Sequence, residues 1–221
     1  MPDYAALQEK KNELIRKALD GSAFLAPISA PTLTAMTGPD SSLMTLPEGY
    51  EDFGWLSTDG IAFGRDVSGS DVSSFGSQTP TRSDTNADTT TVTIVGQETK
   101  RLTIEAYLGV DLAALVPGVG GGVMVSQPSR PRSKFFRLMS IAVDDGDAGE
   151  IYLGRELPRA KPTSYSEQAF SSGDDPITWG VTFTGYKDST LGTAQRFHFG
   201  GPGWAALLDE MGFLPAATAG P

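Results

Sequence analysis

The chain of 221 residues has no cysteine and one histidine, His198. Without thiols it can form neither a disulfide framework nor a thiolate metal site, and cysteine-based catalysis is excluded. A serine–histidine–aspartate triad would have to use His198, which lies between two phenylalanines in an alternating run with no nucleophile motif nearby. We therefore interpret His198 as a structural or interface residue, and we expect no enzymatic activity, no cofactor and no metal.

Long apolar runs and an excess of cations are also missing. Neither a membrane span of 18 apolar residues nor a basic start followed by an apolar core is present, so we predict neither insertion nor a signal peptide. The chain has 17 lysines and arginines and 27 acids, which gives a net charge of -10. This charge opposes stable binding to nucleic acid, because affinity for nucleic acid comes mainly from cations that neutralise phosphates. The acidity has two interpretations. One is that it simply keeps the protein soluble. If the protein instead lines a channel through which a nucleic-acid duplex slides, the negative charge repels the duplex close to the channel wall.

Short alternating strands separated by turns are what the sequence does contain. Residues 55–108 hold several such runs, including a Thr-rich strand followed by residues 98–109, which are ambiguous between strand and helix and for which we favour a helix. Two further blocks, 174–186 and 197–204, continue the pattern. Within them, alternation places Trp179, Val181 and Phe183 on one face of a half-buried strand. Together with Trp204 they are the core candidates, and replacing Trp179 by Ala is expected to cost about 3–5 kcal/mol.

In order, spacing and residue type, these three blocks resemble the major tail proteins, or tail tube proteins, of long non-contractile-tailed bacteriophages, particularly those of actinobacterial hosts. The resemblance implies a mainly β fold, a sandwich or flattened barrel with one flanking helix, and it places a helix after the Thr-rich strand, which supports the helix favoured for residues 98–109. It also implies stacked hexameric rings that form a hollow conduit for ejecting double-stranded DNA without specific binding. The implied partners are the tape measure, tail terminator and tail-tip proteins, with no membrane. The implied location is the virion tail, assembled in the host cytoplasm.

The ends of the chain complete the predicted organisation. Residues 3–20 have apolar side chains at helical spacing and predict an N-terminal amphipathic helix, and residues 22–47 are typical of an extended arm. A short C-terminal helix is predicted between Pro202 and Gly212. The predicted divisions are thus 1–49 for the helix and arm, 50–200 for the β-rich tube domain, and 201–221 for the C-terminal helix and tail. Removing residues 1–47 is expected to leave the β core folded but to impair ring stacking.

Four charged residues are candidates for contacts between subunits. Asp66 and Asp71 lie in a stretch of small residues, 64–77, that predicts a long hairpin or loop. The resemblance implies that such loops reach between rings, although an ordinary mobile surface loop is an equal alternative. Arg132 and Lys134 share one face of a predicted strand. We expect them to be solvated or to pair with acids of an adjacent subunit, in preference to contacting DNA.

Three other segments or residue sets of the sequence allow a different interpretation. The glycine-rich run 118–122 lacks the Lys-Ser/Thr of a phosphate loop. The acidic turn 144–150 could hold calcium but does not fit the twelve-residue calcium loop, so a plain hairpin turn is favoured. The main competing function is a carbohydrate-binding β-sandwich in which Trp55, Trp179 and Tyr186 form a platform for stacking sugars.

Overall fold

The computed structural model describes residues 3–127, 129 and 134–214. It confirms a mainly β fold, with eight antiparallel strands in one sheet and two α-helices among these residues. The elements are β1 Asp20–Pro27, β2 Glu51–Asp52, β3 Leu56–Val72, β4 Arg82–Gly96, α1 Arg101–Leu108, β5 Phe136–Gly146, β6 Gly149–Tyr165, β7 Trp179–Gly185, β8 Arg196–Gly200 and α2 Pro202–Ala206. Neither described helix is long and apolar enough to cross a membrane.

The long strand β6 organises the sheet, whose order is β2-β1-β5-β6-β7-β4-β3. One edge of β6 pairs with β5, while the other pairs with β8 over Tyr152–Glu156 and with β7 over Ala160–Tyr165. The sheet curls so that residues of β1 and β5 pack with residues of β4 and β7. The fully buried side chains of this larger core include Leu25, Ile94, Leu138, Leu157, Val181 and Phe183.

A second, smaller core lies on the opposite face of β5 and β6. Met139 and Ile141 alternate along β5 with Leu138 of the larger core, so both faces of this strand are covered. The covering side chains, Leu33 and Met36, come from the connection between β1 and β2. This connection is therefore part of the folded body.

The helix predicted after the Thr-rich strand is confirmed as α1. The hydroxyl of Thr103 accepts a hydrogen bond from the Lys100 N–H at 3.0 Å and donates one to the Glu98 carbonyl at 2.8 Å, which fixes the first turn. Leu102 and Ala106 are buried in the larger core. Gly109 ends the helix in the left-handed conformation, with φ of 64°.

The predicted N-terminal helix is wrong. Residues 3–19 contain only two short 3-10 turns, Tyr4–Leu7 and Asn12–Leu14, Asp20 already belongs to β1, and Ile15 is 73% exposed. An amphipathic helix of this length is stabilised mainly by packing of its apolar face, and that face has no partner surface on the described chain. The predicted arm is also corrected, because Asp20–Pro27 forms β1, which pairs along its whole length with β5.

The two tryptophans expected in the core are only half-buried. Trp179 is the first residue of β7. Its ring packs edge-on against Tyr107, with 5.4 Å between the ring centroids, and its indole N–H donates a hydrogen bond to the Thr99 hydroxyl at 3.1 Å. Trp204 lies on α2 and stacks on Phe199. Neither belongs to the two buried clusters: Trp179 lies at the start of β7, and Trp204 lies on a short helix beside the half-exposed Phe199.

Replacing Trp179 by Ala is now expected to cost about 1–2 kcal/mol of unfolding free energy, because a half-buried ring loses less apolar contact than a buried one. Urea denaturation monitored by far-UV circular dichroism measures it. Phe183→Ala on the same face is the matched comparison and should cost about 3–5 kcal/mol, since Phe183 is 0% exposed. Equal losses in both variants would contradict the assigned burial of Trp179.

Between β5 and β6 the acidic segment forms the predicted hairpin turn. Gly146 pairs with Gly149, and Asp144 is buried with its carboxylate accepting the Lys17 backbone N–H at 3.2 Å. In the part of the chain that the structure describes, no three His, Cys, Asp or Glu side chains are grouped so as to hold a metal ion. The Asp144 carboxylate instead forms an ion pair with Arg16, with 3.5 Å between Oδ2 and Nη1, and this pair holds the N-terminal segment against the hairpin turn.

Candidate assembly surface

The hairpin formed by β3 and β4 extends out of the folded body. The two strands pair from Ile61 opposite Ile94 to Val72 opposite Arg82, and residues 62–83 are all exposed. At about 3.3 Å per residue, the tip lies about 30 Å beyond Phe63, the last β3 residue beside the core. A two-stranded ribbon exposed on both faces is marginally stable in water by itself. The hairpin therefore has the geometry of an element that gains order from a partner.

The two arginines of the hairpin, Arg65 and Arg82, both form ion pairs with acids of the same hairpin. Arg65 binds Asp88 with 2.6 Å between Nη2 and Oδ2, and Arg82 binds Asp84 with 2.8 Å between Nε and Oδ2. The hydrogen bond from Arg65 lowers the pKa of Asp88. Both pairs are solvent-exposed, so each contributes little to stability.

Asp66 and Asp71, the two acidic candidates, both lie on the exposed part of β3. Neither forms an ion pair with any residue that the structure describes. The hairpin therefore presents unpaired negative charge to its surroundings.

An apolar groove lies at the base of the same hairpin. Its volume is about 530 Å³, and one wall is the start of β3 while the floor is formed by β5, β6 and β8. Its apolar lining includes Leu56, Ile61, Phe63, Leu153, Phe197 and Phe199. We call this the basal groove.

Arg155 of β6 lies inside the basal groove and is held by aromatic rings. Its guanidinium carbon is 4.0 Å from the centroid of the Phe63 ring and 5.0 Å from that of Phe197. No acidic side chain of the described residues forms an ion pair with it, and burial lowers the pKa of its guanidinium. A guanidinium stacked between rings keeps its N–H donors available for a carboxylate or similar anion.

A row of stacked aromatic rings continues from the groove across the surface. Phe197 stacks on Phe199 at 6.4 Å, Phe199 on Trp204 at 5.0 Å, and Trp204 lies 6.0 Å from Phe213. Phe197, Phe199 and Phe213 are each about half exposed. A contiguous apolar patch of this kind is typical of an interaction surface.

On its opposite face, β8 is anchored by a buried polar network. Glu156 is 0% exposed, and its Oε2 lies 2.9 Å from Nε of Arg196 and 3.2 Å from Nε2 of His198. Arg196 also donates to the Leu33 carbonyl at 2.6 Å. Burial, then the nearby Glu156 charge, raises the pKa of Tyr50 to about 12. His198 therefore lies in a structural network of its own subunit.

Of the two basic candidates for contacts between subunits, Arg132 and Lys134, the structure describes the second. Arg132 lies outside the described residues. The Lys134 ammonium forms an ion pair with buried Glu105, lies 3.6 Å from Asp111, and sits 5.2 Å over the Phe136 ring. Lys134 is thus already engaged by acids of its own chain.

The residues of the suggested sugar platform do not lie together. Trp179 is the first residue of β7 and Tyr186 follows the last, so about 20 Å of strand separates them. Tyr186 instead packs edge-on against Phe135, with 5.6 Å between centroids. Trp55 is 77% exposed beside the basal groove.

Sequence reasoning did not find Phe75, Arg155 or the aromatic row. The only local signal was the alternation of Phe197, His198 and Phe199, which places both phenylalanines on one face of a strand. Nothing local indicated that Arg155, in another strand, would lie beside them.

The sequence model of the family described as "Phage tail tube protein" matches residues 8–197. This match spans most of the chain, and the fold is the mainly β architecture that the resemblance implied. The chain therefore belongs to the phage tail tube protein family and is a structural component of a phage tail.

Two solved structures are similar to the chain, each at 12% identity and a TM-score of 0.35. One is from the virion of a native gene transfer agent particle, with 74% of this chain and 98% of that chain covered. The other is from the tail of an empty gene transfer agent particle refined with C6 symmetry, with 79% and 93% covered. No curated protein matches the chain.

Proposed function

We propose that the chain polymerises as stacked hexameric rings into the hollow tail tube of a long non-contractile-tailed phage of an actinobacterial host. The observation that carries the proposal is membership of the tail tube family over residues 8–197. The exposed β3–β4 hairpin supports it, because a ribbon with two solvated faces suits contact with another subunit. The protein acts by assembly, without catalysis or a cofactor.

Strand edges are the proposed contacts within a ring. β2 and β3 are the end strands of the sheet, and β8 has β6 as its strand partner among the described residues. Unpaired edges invite association, and pairing them with edges of neighbouring subunits satisfies their backbone groups inside a closed ring. Contacts around the ring close by rotation, whereas contacts along the axis repeat without closing and build a tube.

Between rings, the hairpin carrying Asp66 and Asp71 is the proposed contact. Arg132 remains a candidate for contact with a neighbouring subunit. Lys134 is already paired with Glu105 and Asp111, so it would take part in such a contact together with these two acids. The tube would be assembled in the host cytoplasm on the tape measure protein. It would be bounded by the tail terminator and tail-tip proteins.

The net charge of -10 supports a conduit with an acidic wall. A basic wall would multiply weak attractions to phosphates over many rings, whereas a repulsive wall leaves double-stranded DNA free to slide. Screening confines the repulsion to about 10 Å from the wall at 0.1 M salt. DNA would thus pass through to the host without specific binding.

Electron microscopy of the purified chain tests this proposal. We expect hollow filaments with sixfold symmetry in negative stain, at protein concentrations raised stepwise to favour nucleation. Gel-shift measurements at 0.1 M salt should detect no stable complex with linear duplex DNA. A chain that stays monomeric at all concentrations, also when mixed with a tape measure protein, would contradict the proposal.

A further inference from the structure

We propose that the basal groove of one subunit receives the hairpin tip of a second copy, with Phe75 inserted among the aromatic rings and Asp71 bound to Arg155. The proposal rests on the tube-forming function above and names the two surfaces that meet along the axis. Phe75 is fully exposed in the turn between β3 and β4, and the groove has a volume of about 530 Å³.

Apolar complementarity is the first observation that supports this pairing. Residues 62–83 are exposed and mostly small or polar, yet the tip carries Phe75 and the half-exposed Val72. An exposed phenylalanine at the tip of a mostly polar ribbon gains stability by burial against a partner. The basal groove offers that burial, because Phe63, Phe197 and Phe199 line it and remain partly exposed.

Charge complementarity is the second observation. The cations of the hairpin are already bound to Asp84 and Asp88, which leaves Asp71 near the tip without an ion-pair partner among the described residues. In the groove, Arg155 has ring contacts but no carboxylate partner in the same part of the chain. A partly buried guanidinium and an unpaired carboxylate form a charge-assisted contact that fixes the register of the tip.

Geometry requires that the tip and the groove belong to different copies. The wall of the groove is the beginning of β3, and the strand pairing runs without interruption by any loop from Ile61 to Val72. The tip is therefore held about 30 Å from its own groove. Each copy carries a groove at one end of the hairpin and an insert at the other, a head-to-tail arrangement that propagates along an axis.

Disulfide trapping tests the pairing directly, since the chain has no native cysteine. The variant Phe75→Cys/Phe199→Cys should give a ladder of covalent multimers when tubes are oxidised. Each single variant should give at most dimers. The control Phe75→Cys/Phe170→Cys, in which residue 170 is exposed on the connection between β6 and β7, should give no ladder. Because loss of the Phe75 ring is itself expected to lower tube yield, the tubes of the first pair are oxidised at whatever yield they form, and their failure to give a ladder would overturn the inference.

Charge reversal provides a second, independent measurement. Asp71→Arg and Arg155→Asp should each lower tube yield about tenfold, and the double variant should recover most of it. Asp66→Arg is the control, because it lies on the opposite face of β3 and should not be rescued by Arg155→Asp. Monomer melting temperature checks that each variant folds. If folded single variants assemble normally, the proposed contact is wrong.

Phe75→Ala completes the set and does not touch the groove. It should leave the monomer melting temperature unchanged and lower tube yield about tenfold. A cross-link that instead joins Phe199→Cys to Leu7→Cys would assign the groove to the exposed N-terminal segment and overturn the inference. If the wild-type chain forms no tubes, the proposed function itself fails, and that outcome is separate from the failure of this contact.

Discussion

Deleting residues 1–47 should leave a chain that does not fold cooperatively. The deletion removes β1, whose Leu25 and Ala23 are fully buried, and it exposes the edge of β5 along the whole of their pairing. It also removes Leu33 and Met36, which cover the second core. Losing one buried leucine costs about 2–5 kcal/mol, and a domain has about 5–15 kcal/mol in total. This result would correct the expectation that residues 50–200 form the tube domain alone.

The matched control is deletion of residues 1–15. Among residues 3–15 the structure describes two short 3-10 turns, and Tyr4, Leu7 and Ile15 are largely exposed, while the deletion keeps Arg16 and its ion pair with Asp144. We expect a cooperative thermal transition within a few degrees of the full chain, since about 1 kcal/mol corresponds to about 2–4 °C at this size. Circular dichroism in the near and far ultraviolet measures both variants. A cooperative transition in the longer deletion would show that β1 is dispensable.

Replacing Arg196 by Ala should cost about 3–5 kcal/mol of unfolding free energy. The change leaves the fully buried Glu156 carboxylate with His198 as its remaining side-chain partner, and an uncompensated buried charge is strongly unfavourable. It also removes the donor to the Leu33 carbonyl, which links β8 to the second core. Urea denaturation at pH 7 gives the loss, with the slope of the transition as a check on two-state behaviour.

The double variant Glu156→Met/Arg196→Met separates the ion pair from simple packing. Replacing both members of a buried pair by apolar side chains of similar size is often neutral, so the double variant should be more stable than Arg196→Ala. If the loss in the double variant is much smaller than the sum of the losses in Glu156→Met and Arg196→Met, this non-additivity identifies the buried charge as the cause of the loss. If Arg196→Ala costs less than about 1 kcal/mol, the carboxylate is not desolvated as the structure indicates.

Local patterns were sufficient where neighbouring residues decide the structure. Alternation identified β7, with Val181 and Phe183 on its buried face, and turn residues identified the hairpin between β5 and β6. The helix α1 was expected from the helix-forming residues of its segment together with the family resemblance, and its first turn is fixed by Thr103 within the segment itself. In each case the hydrogen bonds or the periodicity lie within a few residues of one another.

Patterns failed where a distant partner decides. Helical spacing in residues 3–20 had no surface to pack on, while Asp20–Pro27, which has no strong strand signal, is held by β5 more than a hundred residues away. Trp179, at the start of β7, is half-buried, which strand alternation cannot show. Membership of a sheet depends on the edge that is available to pair with, and that edge is not encoded next to the strand.

The sequence by itself determined that thiol chemistry is absent, that the chain is acidic and that it is built mainly from β-strands, because composition and side-chain period are local properties. Only the tertiary structure decided that β1 is part of the sheet, that Glu156 is buried with Arg196, and that Arg155 lies between Phe63 and Phe197. These arrangements join residues far apart in the chain. They form because curling of the sheet brings separate strands onto one core, and no local pattern specifies that curl.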